Sequence, residues 1–314
     1  MTLLLSRSDL QRLLDIRECL DALRRGFLAA PPSIAAQRVR TDLPGPGTAT
    51  ALIPGLAEGI PAYTVKVNAK FPAAQPALRG VVCLHDAGSG ELLALLDSAT
   101  VTAWRTGLAA ALATDVLARS PAPAVAVIGA GAQADLVLRG LATLREWHHL
   151  TVCDLNAGRA RQFAGRHPGR PATVAADPRD AARDADIVVL ATWSRTPLLD
   201  AGDITGGAHI TSLGADEPGK AELSPALLRT GRLIVDDVAL AMSSGALGTA
   251  GLSAADVAGT LSQVIRGTIP GRQAEADITI YPPVGLPWQD LVLAWLAYRR
   301  AQAAAMGEPF DFLR

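Results

Sequence analysis

Aromatic residues are scarce in this 314-residue chain, at 4%. Its core must therefore be filled mostly by Ala, Val and Leu. Charge of one sign is also missing: 29 basic and 30 acidic side chains leave a net charge of −1, and no basic run stands out. Nothing here would gather nucleic acid or an anionic membrane. The three cysteines, Cys19, Cys83 and Cys153, are dispersed and odd in number, with no CxxC spacing. That excludes a disulfide framework and the usual zinc ribbons. Five histidines occur without HxxxH or HExxH spacing, so no metal site is expected. No apolar run is long enough to span a membrane, and the first ten residues lack a signal-peptide pattern. A reducing cytoplasm is the expected compartment.

What remains is a chain that is 49% hydrophobic and long enough for two domains or one large one. Apolar residues from Leu10 to Leu28 recur at helical spacing; Ser8 is a candidate cap, and Asp15-Ile16 a candidate interruption. Pro31 to Pro61 reads as loops and short strands. Ala62–Val67, Gly80–Leu84 and Leu92–Leu96 read as strands, and Thr100–Ala118 as a helix. After Ser120-Pro-Ala-Pro123 the pattern changes to alternating strand and helix: strands at Val125–Ile128, Leu150–Cys153, Ala185–Ala191, His209–Leu213 and Arg232–Val235, with helices near 132–144 and 160–166. Such alternation predicts a parallel sheet covered on both faces. The last helix, Trp288–Met306, follows the sheet and is expected to return to the first domain. The fold class is thus α/β: a doubly wound Rossmann domain, residues 119–288, plus a discontinuous mixed α+β substrate-binding and dimerisation domain, residues 1–118 and 289–314.

The strongest local signal is a strand running into a GxGxxA turn, Val125-Ala-Val-Ile-Gly129-Ala130-Gly131-Ala132-Gln133-Ala134. Gly129 permits the tight turn, Gly131 lets backbone approach a pyrophosphate, and Ala134 allows close helix packing. Asp154 lies 25 residues after Gly129, at the end of the second strand. A carboxylate there accepts from the ribose hydroxyls and repels a 2′-phosphate, so NAD is expected rather than NADP. An ordinary strand-to-helix turn and a solvated loop acid are the plainer alternatives. Thr192 and Leu213, ending later strands, are weaker candidates for nicotinamide and ribose contacts.

Outside this region the candidate cations are Arg38, Arg40, Lys66, Lys70, Arg79 and Arg105, and spacing alone selects none. A resemblance does. Val39-Arg40-Thr41, Lys66 in Tyr-Thr-Val-Lys-Val, Thr102-Ala-Trp-Arg105-Thr106-Gly-Leu-Ala-Ala, the glycine turn, Ser212-Leu213-Gly-Ala-Asp216-Glu-Pro-Gly-Lys220-Ala-Glu-Leu and Gly267-Thr-Ile-Pro-Gly-Arg272 follow in order over nearly the whole chain. Together they resemble the ornithine cyclodeaminase/μ-crystallin family.

The resemblance implies that Arg40, Lys66 and Arg105 grip a substrate carboxylate and the neighbouring nitrogen, with Lys66 counted beside Asp216 as catalytic. It implies that Thr106 touches cofactor phosphates, that Asp216 orients or protonates the substrate nitrogen, and that Lys220 contacts cofactor or fixes Asp216. Plainer readings stay open: Arg38 shares a strand face with Arg40, and Asp216 could cap its loop. Gln289 and Asp290 are further candidates for the site, although an acid in a helix's first turn has a sufficient electrostatic reason to be there. One departure matters. The ornithine cyclodeaminases carry Glu, facing the distal amine, where this chain has Ala51. A buried ammonium without that counter-charge is costly, so a small or neutral side chain is expected on the substrate. The expected activity is NAD(H)-dependent redox chemistry at the C–N bond of a small L-amino acid or its imine, in a homodimer. A cyclodeaminase yielding a cyclic imino acid such as proline and a non-catalytic ligand-binding protein are the alternatives.

Overall fold

The alternation of Ala62, Thr64 and Lys66 with Tyr63, Val65 and Val67 makes one strand with a buried and a half-exposed face. It is an inner strand of the first of two sheets in the structure, a computed structural model that describes residues 1–29, 37–74 and 76–312. The part of the Pro31–Pro61 loop region at 31–36 lies outside the described residues. The chain folds into two compact units, residues 1–106 with 286–314, and residues 107–285.

The first unit runs β1 (Thr2–Leu5), α1 (Arg7–Leu13), α2 (Ile16–Leu28), β2 (Val39–Asp42), β3 (Ala49–Gly55), β4 (Ala62–Lys70), β5 (Leu78–Asp86) and β6 (Leu92–Asp97), and then the start of α3 (Ser98–Leu117). After the second unit it resumes with α11 (Pro287–Ala303) and β15 (Glu308–Phe310). Its seven described strands are ordered β15-β1-β6-β5-β4-β3-β2; every pair is antiparallel except β1 with β6. Helices α2 and α11 pack together, and α11 lies on β3, β4 and β5. Gly26 admits the contact: a Cβ there would stand 2.2 Å from the Trp288 ring, which meets Phe27 edge-on at 5.0 Å.

Among the described residues, the sheet's other face carries no helix of this unit. Val39, Leu52, Val67 and Val81 stand opposite one another across β2 to β5, and all but Val67 are exposed. Beside them Pro54, Val65, Cys83 and Leu95 form a second row, half-buried.

The second unit continues with β7 (Ala124–Ile128), α4 (Ala132–Leu144), β8 (His149–Cys153), α5 (Ala157–Gly165), β9 (Ala172–Ala175), α6 (Pro178–Ala182), β10 (Ile187–Leu190) and β11 (His209–Ser212). It ends with α7 (Pro225–Thr230), β12 (Arg232–Val235), α8 (Val238–Ser243), α9 (Ala246–Thr249), β13 (Val257–Thr260), α10 (Leu261–Ile265) and β14 (Thr279–Tyr281). Its eight strands are all parallel, in the order β13-β12-β14-β11-β10-β7-β8-β9. The order reverses between β7 and β10, the topological switch point at which such sheets take a ligand. This α/β architecture, one parallel and one mixed sheet, is the class expected from the alternation.

Locally the structure corrects the sequence in two places, the first cap and a set of short strands. Ser6, rather than Ser8, caps α1, in a reciprocal box with Asp9. The helix breaks at Leu14, beside the candidate interruption Asp15-Ile16, and Asp15 caps a separate α2. Strands β1, β9, β13, β14 and β15 were not expected; each has only three or four residues. No described helix is long and apolar enough to cross a membrane.

Candidate active site

Four strands of the parallel sheet end level. Cys153, Ile128, Leu190 and Ser212 are register partners in one row, so Asp154, Gly129, Ala191 and Leu213 line the same carboxyl edge. The turn after β7 is held from beneath: Gly129 N–H donates to Cys153 O at 2.8 Å and Ala130 N–H to Asp154 Oδ2 at 2.9 Å. Gly129 has φ +96°, and a Cβ on it would come within 2.5 Å of Ala191 O, so only glycine suits this turn. Gly131 is the N-cap of α4; it offers no side-chain cap, and a Cβ there would meet nothing within 4 Å. The first amides of α4, beside Ala132 and Gln133, are therefore left to an anion, with the helix dipole favouring it. The opening, the small residues and the acid on the neighbouring strand fit a dinucleotide.

Further along the edge one carboxylate organises two loops. Glu222 Oε1 accepts from Thr192 N–H and Oγ1, each at 2.7 Å, while Oε2 accepts from Ser212 Oγ at 2.7 Å and Gly214 N–H at 2.8 Å. Burial pushes the Glu222 carboxyl above its ordinary range against these four donors. Leu213, between two of the tied residues, is buried and donates its N–H to Leu190 O. Asp236 plays a like part at the end of β12, accepting from Val284 and Gly285 N–H groups. In the loop before Glu222, Lys220 Nζ donates to Asp216 Oδ1 at 2.7 Å, and the ammonium stands 5.3 Å from the Trp193 ring centroid.

The first unit holds a second constellation. Lys66 on β4, Arg105 on α3 and Asp290 in the first turn of α11 are all buried. Lys66 Nζ donates to Asp290 Oδ2 at 2.5 Å, and Arg105 Nε to Asp290 Oδ1 at 3.2 Å. Burial lowers the Lys66 ammonium to about 8; Asp290 opposes that shift, while Arg105 and Arg38 add to it. The register explains the influence of Arg38. Arg38 immediately precedes Val39, which faces Leu52, and the next residue of that strand, Ile53, is the register partner of Lys66. Arg40 lies two rows from Lys66, opposite Ala51, which in turn faces Asn68; its Nε and Nη2 donate to Asp42 Oδ1. Thr106 follows Arg105 on α3, and the next residue, Gly107, packs against Gln133 and Leu136 of α4 so closely that a Cβ would stand 2.5 Å from Leu136.

The family model of ornithine cyclodeaminase/mu-crystallin proteins matches residues 1–305. The chain belongs to this family. Among solved structures, it resembles a Thermococcus litoralis Δ1-pyrroline-2-carboxylate reductase in complex with NADH and L-proline, 28% identical, covering 98% of this chain and 100% of that one at a TM-score of 0.91. An archaeal alanine dehydrogenase dimer with bound NAD is 28% identical, covers 99% of each chain and has a TM-score of 0.92. The iminosuccinate reductase of Paracoccus denitrificans in complex with NAD+ is 25% identical, again covers 99% of each chain and has a TM-score of 0.88.

Against this geometry the sequence had left two things unresolved. Glu222 stood in a motif of the resemblance without a role, and Asp236 carried no signal. Asp290 was a candidate for the site with no partner named, and the cation it serves, Lys66, lies 224 positions away.

Proposed function

We propose that this protein is an NAD(H)-dependent oxidoreductase of the C–N bond in a small L-amino acid or its imine. The observation that carries the reading is the buried pair of Lys66 and Arg105, in a chain whose parallel sheet also ends in an open glycine turn beside an acid. When bound, NAD supplies an acceptor for the α-hydride, or returns it in the reductive direction. The glycine turn and the start of α4 hold the pyrophosphate, with Thr106 assisting, and Asp154 takes the ribose hydroxyls. Thr192 and Leu213, fixed by their loops, border the nicotinamide riboside. Lys66 and Arg105, with Arg40, hold the substrate carboxylate through charge-assisted bonds. Asp216, oriented by Lys220, takes the proton from the substrate nitrogen on oxidation and gives it back on reduction.

Ala51 supports a small or neutral substrate side chain: its strand neighbours are Arg40 and Asn68, so no carboxylate stands at that register position to meet a distal ammonium. The largely exposed apolar row Val39, Leu52, Val67 and Val81 across β2 to β5 supports a homodimer, since patches of this kind mark association surfaces. A cytoplasmic location accords with three free, dispersed cysteines.

The test is a panel of L-amino acids and cyclic imines with NAD(H) and NADP(H), followed by NADH absorbance on the wild type and Asp216→Asn. The reading expects steady NADH change and a loss in kcat of roughly 100-fold or more in the variant, the usual weight of a general acid or base. Ammonia release without net NADH change would instead assign a cyclodeaminase. NADH binding without turnover of any compound would assign a binding protein.

A further inference from the structure

Asp290 serves two cations with two different oxygens, and the way it engages Arg105 is informative. A guanidinium carries five N–H groups in a rigid fork. Asp290 takes Nε, at 3.2 Å, and no hydrogen bond joins it to the terminal Nη1/Nη2 pair. That terminal pair is the edge that matches a carboxylate bidentately. On Lys66, Asp290 takes one of three ammonium protons. The chain has only three lysines, Lys66, Lys70 and Lys220, and all are buried.

We propose that Asp290 is the positioning residue of this cation pair: it aims the outer fork of Arg105 and the remaining protons of Lys66, and supplies their counter-charge before a substrate carboxylate arrives. The proposal rests on the reading of Lys66 and Arg105 as the carboxylate grip. Asp290 does not touch the reacting atoms. Its place in the first turn of α11 sets it beside the positive end of the helix dipole. The charged groups acting on Lys66 are Asp290 from α11, Arg105 from α3 and Arg38 ahead of β2; Asp290 alone of these favours the ammonium.

Two variants and two readouts test it. Turnover is measured with whichever amino acid or imine the wild type accepts, and the Lys66 Nζ is titrated by NMR in 15N-lysine-labelled protein, where three lysines give three signals. In Asp290→Asn, substrate KM is expected to rise by roughly 10-fold or more, the cost of a disturbed charged hydrogen bond. NADH KM should stay within about twofold, and Lys66 should lose its proton at lower pH than in the wild type. Asp290→Glu should keep the Lys66 titration and raise substrate KM by less than Asp290→Asn does. If Asp290→Asn does not fold, Asp290→Glu decides: an unchanged substrate KM overturns the aiming role. Equal rises in the two KM values, or an unmoved Lys66 titration in Asp290→Asn, also overturn it. A wild type inactive on every compound sinks the functional reading, and the titration still decides the role of Asp290.

Discussion

Two glycines in one turn separate the space the protein needs from the space a ligand needs. Gly129 has φ +96°, and a Cβ on it would lie 2.5 Å from Ala191 O, 2.9 Å from the same carbonyl carbon and 3.0 Å from Thr192 Cγ2. In Gly129→Ala the left-handed backbone costs about 1–2 kcal/mol and the overlap about 1–3 kcal/mol. At roughly 2–4 °C per kcal/mol for a unit of this size, Tm should fall by about 4–20 °C. Gly131 has an ordinary extended backbone, φ −96° and ψ −178°, and a Cβ there meets nothing. In Gly131→Ala the poorer cap costs about 0.5–1 kcal/mol, and the stiffer unfolded chain returns about 0.4–1 kcal/mol. Stability should therefore barely move. The new methyl stands where a pyrophosphate would approach the helix amides, and losing one charged hydrogen bond costs about 1.5–3 kcal/mol. NADH affinity should fall roughly 10- to 100-fold, by the usual conversion of 1.4 kcal/mol per decade. Thermal unfolding without cofactor and NADH fluorescence titration measure the two quantities. Native NADH affinity in Gly131→Ala would remove this turn from the cofactor site. A Tm loss in Gly131→Ala matching that of Gly129→Ala would show that the space is not open.

Two further outcomes are expected. His209 is buried between Thr279 Oγ1 and Thr211 Oγ1, and burial, reinforced by Arg272 and Arg145, lowers it to about 3. An unfolded histidine titrates near 6.5, so below that pH the unfolded chain binds a proton that the folded chain refuses. The contribution of His209 is whole above about pH 6.5 and declines towards pH 3, by roughly 2 kcal/mol at pH 5. Urea unfolding should show His209→Asn to be less acid-sensitive than the wild type, and equal slopes would clear His209 as the cause. Val67→Glu places a charge in the middle of the apolar row Val39, Leu52, Val67 and Val81. Sedimentation should find a monomer that still binds NADH, and an unaltered dimer would move the interface elsewhere.

What could be read from the chain depended on how local the cause was. The turn after β7 was legible because its strand, glycines and helix are contiguous, and the parallel sheet because five of its strands announce themselves by apolar runs. Strands such as Thr279–Tyr281 are three residues long, and their pairing with β11 and β12 is fixed only by tertiary context. Ser8 and Ser6 are equally good caps on paper; the chain leaving β1 decides for Ser6. Lys66 and Arg105 emerged through resemblance, since a cation in an apolar segment does not reveal its partner. Asp290 showed the limit most plainly: helix electrostatics already accounted for it, so nothing local pointed to a strand more than two hundred residues earlier.

The Glu222 knot has a mechanical consequence. Because one side chain receives Thr192 on one oxygen and Ser212 with Gly214 on the other, the segments leaving β10 and β11 form a single lever rather than two hinges. Energies of substitutions at Thr192 and Ser212 will not sum, because the first change already loosens the anchor on which the second depends. Adaptation of this edge to a different ring or sugar must therefore proceed by concerted change, which helps keep its shape resistant to single steps.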